Sequence, residues 1–123
     1  MHISIVGAGP AGLYAAILIR RARPDIGLRV VDQNPQGATF GFGVVLSDEA
    51  LGFLAADDPQ TVALIEPHLT RWRDIHVVHR GQRIVIDGIG FSGIGRLDLL
   101  RLLQARAADL GIVPEYGTRL DAP

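Results

Sequence analysis

Two short apolar runs and one helical repeat of apolar positions open the chain. His2 to Val6 is an apolar run that stops at a glycine, as a buried parallel strand often does. From Pro10 to Arg23 apolar residues recur at helical spacing, and Pro24 prevents the helix from continuing. Leu28 to Asp32 has the composition of a second strand. This part of the chain is therefore predicted to form a βαβ unit.

The pattern after Asp32 is less regular but still predicts separate elements. Residues 34–43 are rich in glycine and proline and are expected to form a loop. The other predicted elements are helices over Ser47 to Ala56, Pro59 to Ile65 and Leu97 to Leu110, a hairpin of Asp74 to His79 with Arg83 to Asp87, and a strand over Ile112 to Tyr116. Together they predict an α/β fold, with a Rossmann-like βαβ unit, a parallel sheet covered by helices and a small antiparallel hairpin.

A glycine-rich turn joins the first predicted strand to the first helix. Its sequence is the G-x-G-x-x-G pattern Gly7-Ala8-Gly9-Pro10-Ala11-Gly12. In this pattern Gly7 allows the tight turn, Gly9 lets a pyrophosphate approach the backbone, and Gly12 lets the helix pack closely on the strand. The N–H groups near Ala11 and Gly12 are then directed at the phosphates from the positive end of the helix dipole.

An acidic residue, Asp32, follows the second strand at the distance from Gly12 that the dinucleotide-binding pattern requires. We expect its carboxylate to accept hydrogen bonds from the ribose hydroxyls of adenosine. The same charge would repel a 2′-phosphate, so NADP is a poor ligand for this pocket. FAD and NAD both remain compatible with the pattern.

Composition and charge exclude several other classes of protein. The 12 Lys and Arg residues are balanced by 13 Asp and Glu residues, which leaves no broad positive surface for nucleic acid or an anionic membrane. No cysteine is present, and the four histidines do not have metal-ligand spacing on a common face, so no metal site is predicted. The opening residues contain no signal peptide or membrane-spanning pattern, so a cytoplasmic protein is expected.

Three stretches of the chain resemble one protein family. Gly7 to Leu13 resembles the opening of the FAD-dependent aromatic hydroxylases, the single-component flavoprotein monooxygenases related to para-hydroxybenzoate hydroxylase. Thr39 to Asp48 is similar to the segment that follows the second strand in the salicylyl-CoA 5-hydroxylase and aminobenzoyl-CoA monooxygenase branch. Gly95 to Leu100 is similar to the family's Arg-x-x-Leu helix start. The resemblance covers essentially the whole chain and implies FAD as the bound dinucleotide.

The same resemblance implies further contacts with FAD. It places Arg96 near the pyrophosphate, and a cation at a helix N-terminus is unfavourable unless an anion lies nearby. It also places Gly43 and Val44 on the flavin side of the pocket. Gln33, directly after Asp32, completes the predicted cofactor-binding set. No residue is predicted as a catalytic acid or base, because in this chemistry the protein mainly positions and shields the reacting groups.

The function implied by the resemblance is hydroxylation of an aromatic acid or its CoA thioester, with FAD, NAD(P)H and dioxygen. Two other interpretations stay open: an NAD- or FAD-linked dehydrogenase, and a nucleotide-binding module without activity of its own. In the family, the later FAD motifs, one with Asp-Gly and one with Gly-Asp, lie well downstream of the stretches that match here, and neither motif is expected within residues 1–123. We therefore expect residues 1–123 to be an incomplete N-terminal part of an FAD-binding domain, inactive by itself.

Overall fold

The computed structural model describes residues 1–120, which form a mixed α/β fold. These residues divide into two compact units, one of residues 1–41 and 96–120 and the other of residues 42–95. In chain order the elements are β1 (His2–Val6), α1 (Pro10–Ala22), β2 (Gly27–Val31), β3 (Gly43–Ser47), α2 (Asp48–Asp57), α3 (Pro59–Ile65), a 3-10 turn (Glu66–His68), β4 (Thr70–Trp72), β5 (Ile75–His79), β6 (Gln82–Ile86), β7 (Phe91–Gly95) and α4 (Arg96–Asp109).

The first unit contains the predicted βαβ motif. β1 and β2 pair in parallel, with Val6 opposite Val31, and α1 connects them. α1 begins with Pro10, whose missing N–H would have no helical acceptor at this position in any case. α1 packs against α4 and against both strands of the sheet. The buried core of this unit comprises Ala8, Leu13, Ala16, Ile17, Ile26, Val30, Val31, Leu99, Leu100, Leu103, Ala107 and Ile112.

The strand predicted over Ile112 to Tyr116 is wrong. Only Glu115 forms a bridge, a parallel one with Val31. The Glu115 N–H donates to the carbonyl of Val30 at 2.8 Å, and the carbonyl of Glu115 accepts from the Asp32 N–H at 2.9 Å. Among residues 1–120 the parallel pairing is therefore confirmed for two strands, and a full Rossmann sheet is not.

The second unit contains a three-stranded antiparallel sheet that was not predicted. β7 lies in its centre, between β3 and β4. Trp72 on β4 stacks on Phe91 of β7, with ring centroids 6.1 Å apart. Gly93 gives the indole room, because a Cβ at this position would lie only 3.1 Å from Cζ3 of Trp72. The close packing of the indole is thus a structural reason for glycine at position 93, although glycine has a low strand propensity.

The helices of the second unit agree closely with the predicted ones. The side chains of Ser47 and Asp58 cap α2 and α3, each accepting a backbone N–H from the residue three positions later. Pro59 occupies the first turn of α3, where its fixed φ suits the helix. No helix among residues 1–120 has both the length and the apolar character needed to cross a bilayer.

The predicted hairpin is confirmed as β5 and β6. Its turn is shorter than expected, because Gln82 pairs with His79 and only Arg80 and Gly81 remain between the strands. Both turn residues have positive φ, 48° and 76°, as a two-residue turn compatible with strand twist requires. All residues of the two strands are exposed.

Candidate functional site

The turn between β1 and α1 requires glycine at two positions for reasons internal to the fold. Gly7 has a φ of +105°, a conformation that side-chain-bearing residues rarely adopt. A Cβ on Gly12 would overlap the carbonyl oxygen of Gly7 and approach Cγ2 of Ile5 to 3.4 Å. The mechanical roles predicted for these two glycines therefore agree with the structure.

Gly9 differs, because nothing in the described chain requires glycine there. Its φ of −75° and ψ of −179° are ordinary for the residue that caps a helix. A Cβ built on Gly9 would meet no atom within 4 Å. The N–H groups of Ala11 and Gly12 lie in the first turn of α1 and therefore have no intrahelical acceptor. Gly9 provides no side-chain cap that could accept them instead. The space above Gly9 can accommodate an anion that would receive these N–H groups.

The carboxylate of Asp32 holds the glycine-rich turn in place. Oδ2 accepts the backbone N–H of Ala8 at 2.8 Å. Oδ1 accepts the backbone N–H of Asn34 at 2.8 Å and its side-chain amide at 3.0 Å. Partial burial acts to raise the pKa of Asp32, but these hydrogen bonds outweigh it and hold the pKa below its usual range. Asp32 is therefore a fixed anion at the end of β2.

Two adjacent clefts of the first unit meet at Asp32 and Asn34. The first cleft has a volume of about 270 Å³ and includes Gly7 and Gln33 in its wall. The second cleft has a volume of about 170 Å³, and its lining residues are Gly9, Pro10, Asp32, Asn34, Ala38, Thr39, Phe40, Arg96 and Leu100. The structure thus brings most of the predicted cofactor-binding residues together around one acidic residue.

Arg96 is the cation of the second cleft. It is the first residue of α4, and its side chain is half-buried. Within residues 1–120 its guanidinium makes no hydrogen bond or ion pair. An unpaired guanidinium and the N-terminus of α1 therefore line the same cleft, and both favour a negatively charged ligand.

Gly43 and Val44 lie on β3, in the second unit. Gly43 is opposite Gly95 of β7, and a Cβ there would lie 3.0 Å from the carbonyl oxygen of Ile94. Val44 is opposite Ile94. The close approach of β7 is thus a structural reason for glycine at position 43, while the flavin contact of these two residues stays a prediction.

Several residues that line the clefts were not among the predicted cofactor-binding residues, and three of them are Asn34, Thr118 and Arg119. Asn34 lines both clefts, while Thr118 and Arg119 line the first. The Asp-x-Asn spacing was a usable signal for Asn34, because aspartate side chains commonly accept the N–H of the residue two positions later. The other two are brought to the site by the irregular segment after Glu115, for which the sequence contains no comparable signal.

Comparison with known proteins identifies relatives over the full chain, although no protein-family model matches it. The chain is 42% identical over 123 residues to a salicyloyl-CoA 5-hydroxylase from a Streptomyces species, of which it spans 24%. It is 30% identical over 117 residues, 95% of its length, to a 3-hydroxy-4-methyl-anthranilyl-(aryl-carrier protein) 5-monooxygenase from Streptosporangium sibiricum, of which it spans 33%. The chain therefore covers only 24% to 33% of the length of these relatives.

Solved structures show the same fold at low sequence identity. A 2-methyl-3-hydroxypyridine-5-carboxylic acid oxygenase matches 94% of the chain with a TM-score of 0.78 and 19% identity, over 31% of its own length. A Photorhabdus luminescens protein with the provisional name FAD-containing monooxygenase matches 95% with a TM-score of 0.70 and 17% identity, over 30% of its length. The resemblance to the flavoprotein aromatic hydroxylases is thus confirmed, and it includes a relative named for an aromatic CoA thioester.

Proposed function

We propose that this chain is the nucleotide-binding part of an FAD-dependent monooxygenase, and that the whole protein hydroxylates an aromatic acid carried as a thioester, with NAD(P)H and dioxygen. The observation that carries the proposal is the second cleft, where the open space at Gly9 and the unpaired Arg96 lie together. Bound FAD would supply the redox chemistry. The residues of this chain would bind and orient its ADP half.

The pyrophosphate fits the second cleft best. The N–H groups of Ala11 and Gly12 would donate to its oxygens, with Gly9 leaving the approach open. Arg96 would neutralise its charge from the opposite element, α4. The neighbouring Asp32 accepts hydrogen bonds but cannot donate them when ionised, so it suits ribose hydroxyls and disfavours phosphate. Charge and hydrogen-bonding capacity together would therefore orient a dinucleotide across the two clefts.

The proposed substrate class follows from the relatives. The names of both relatives refer to an aromatic acyl group that is bound to CoA or to a carrier protein. The fold similarity to an oxygenase for a free heteroaromatic acid does not favour one substrate form over another. We infer that the aromatic acid is presented as a thioester, most simply of CoA.

A chimera tests the proposal directly. This chain would replace the matching segment of the Streptomyces hydroxylase, and the purified protein would be assayed for bound flavin and for NAD(P)H oxidation with salicyloyl-CoA. We expect the chimera to bind FAD stoichiometrically and to hydroxylate the thioester. A folded chimera that contains no flavin would contradict the nucleotide-binding role. A flavin-containing chimera that oxidises NAD(P)H in the absence of dioxygen, and passes the electrons to another acceptor, would favour the dehydrogenase interpretation.

Arg96→Ala is expected to weaken FAD binding to the chimera, and more so at low than at high salt. Hydrogen bonds to charged groups contribute roughly 1.5–3 kcal/mol, which corresponds to about ten- to a hundredfold in affinity. The effect should shrink several-fold near 1 M salt, where the Debye length falls to about 3 Å. Arg101→Ala, an exposed arginine on the same helix, is the control and should leave the dissociation constant unchanged. An equal loss at every ionic strength would indicate that Arg96 acts by packing.

Asp32→Ala is expected to weaken FAD binding by about ten- to a hundredfold, because a charge-assisted hydrogen bond to the ribose is lost. The variant also loses the contacts to Ala8 and Asn34, so the glycine-rich turn becomes less well ordered. Equilibrium titration of FAD, with far-UV circular dichroism as a check on folding, measures the effect. A folded variant with an unchanged dissociation constant would rule out the ribose contact.

A further inference from the structure

The hydrogen bonds already made by Asp32 limit what it can offer a ligand. Each carboxylate oxygen has about two acceptor positions. Oδ1 receives two donors from Asn34, at 2.8 and 3.0 Å, so it has none left. Oδ2 receives only the N–H of Ala8, at 2.8 Å, and keeps one position. A ribose presents two adjacent hydroxyl donors, so Asp32 alone can accept only one of them.

The orientation of the Asn34 amide follows from the same contacts. An ionised carboxylate only accepts hydrogen bonds, so the amide nitrogen must be the atom that faces Asp32. The amide oxygen, Oδ1 of Asn34, is the side-chain atom that remains for a ligand. Within residues 1–120 no donor contacts this oxygen, and Asn34 lines both clefts. The backbone of Asn34 is also held, because its carbonyl accepts the N–H of Gly117 at 3.1 Å.

We propose that Asn34 is a second ribose-binding residue, so that the two hydroxyls of the adenosine ribose are accepted by different side chains. Oδ2 of Asp32 takes one hydroxyl and Oδ1 of Asn34 takes the other. This inference rests on the proposed function, because it requires that the clefts bind the ADP half of a dinucleotide. The link from the Asn34 amide to Asp32 holds both acceptors in one geometry before the nucleotide binds.

The test uses the 123-residue chain and three probes: ADP, 2′-deoxy-ADP and 3′-deoxy-ADP. Each probe is titrated into isotope-labelled protein, and dissociation constants are taken from amide chemical shifts, which also report whether each variant is folded. The variants are Asn34→Ala, which keeps the backbone donor to Asp32, and Gln36→Ala, an exposed loop residue outside both clefts. In the unmodified chain each deoxy probe should bind about three- to tenfold more weakly than ADP.

In Asn34→Ala one of the two deoxy probes should bind as well as ADP, because its missing hydroxyl no longer has a partner, while the other probe keeps its deficit. Gln36→Ala should behave like the unmodified chain. The inference is overturned if both deoxy probes still bind Asn34→Ala more weakly than ADP does. It is also overturned if neither does, since a residue that acts only through Asp32 would affect the two hydroxyls together. A deoxy probe that binds the unmodified chain as tightly as ADP would also overturn it. Absence of any ADP binding would instead contradict the proposed function itself.

Discussion

Gly9→Asp is expected to abolish FAD binding and to leave the fold at least as stable as before. Position 9 is the N-cap of α1, where aspartate is a better residue than glycine by roughly a few tenths of a kcal/mol. The new carboxylate would occupy the open space and accept the N–H groups assigned to the pyrophosphate. Two like charges about 4 Å apart repel by roughly 4 kcal/mol at an effective dielectric constant of 20, more than a hundredfold in affinity.

The measurement combines FAD titration of the chimera with urea unfolding of the 123-residue chain. Gly9→Asn is the matched control, since it caps the helix and fills a similar volume without a charge. We expect it to weaken FAD binding less than Gly9→Asp does. Retention of FAD affinity within about tenfold in Gly9→Asp would mean that the pyrophosphate lies elsewhere.

Gly12→Ala is expected to destabilise the fold itself. The added Cβ would overlap the carbonyl oxygen of Gly7, a backbone atom that cannot move without opening the turn. Overpacking of this kind costs about 1–3 kcal/mol, and contact with backbone places Gly12 at the upper end. That is a large part of the roughly 5–15 kcal/mol by which a domain is stable.

Gly52→Ala provides the matched control for this prediction. Gly52 lies in α2, and a Cβ there would meet no atom within 4 Å. Alanine in a helix interior is more favourable than glycine by about 0.5–1 kcal/mol, so this variant should be slightly more stable than the unmodified chain. If both variants unfold at the same urea concentration, Gly12 does not have the packing role described.

The elements with regular side-chain patterns were predictable from the sequence. α1, α3 and the hairpin have the predicted positions to within a residue or two, because proline, glycine and helical spacing define their ends. β7 was missed because two of its five residues, Gly93 and Gly95, have low strand propensity. Those glycines are explained only by contacts made in three dimensions, such as that of Gly93 with Trp72. Tertiary packing decided the structure there, and local propensity did not.

The candidate site shows a similar division. The spacing of Gly7, Gly9, Gly12 and Asp32 was sufficient to predict which residues meet at the carboxyl end of β1 and β2. The sequence could not show that Asp32 binds the turn as well as facing the clefts, because that depends on the position of the Ala8 N–H. The position of Asp32 in the sequence pattern is the same whether it binds the turn, faces the clefts or does both, so the pattern does not distinguish these roles.

The first unit is discontinuous, and this affects the order in which the chain can fold. α1 ends at Ala22, but α4, which covers its apolar face, begins only at Arg96. During synthesis the βαβ motif must therefore wait for the whole of residues 42–95 before its core can close, and contacts so distant in sequence form slowly. Residues 42–95 contain their own sheet and buried side chains, including Leu51, Ile65 and Ile94. On the ribosome, the glycine-rich turn would be made before residues 42–95 and would become ordered only after α4 has followed them.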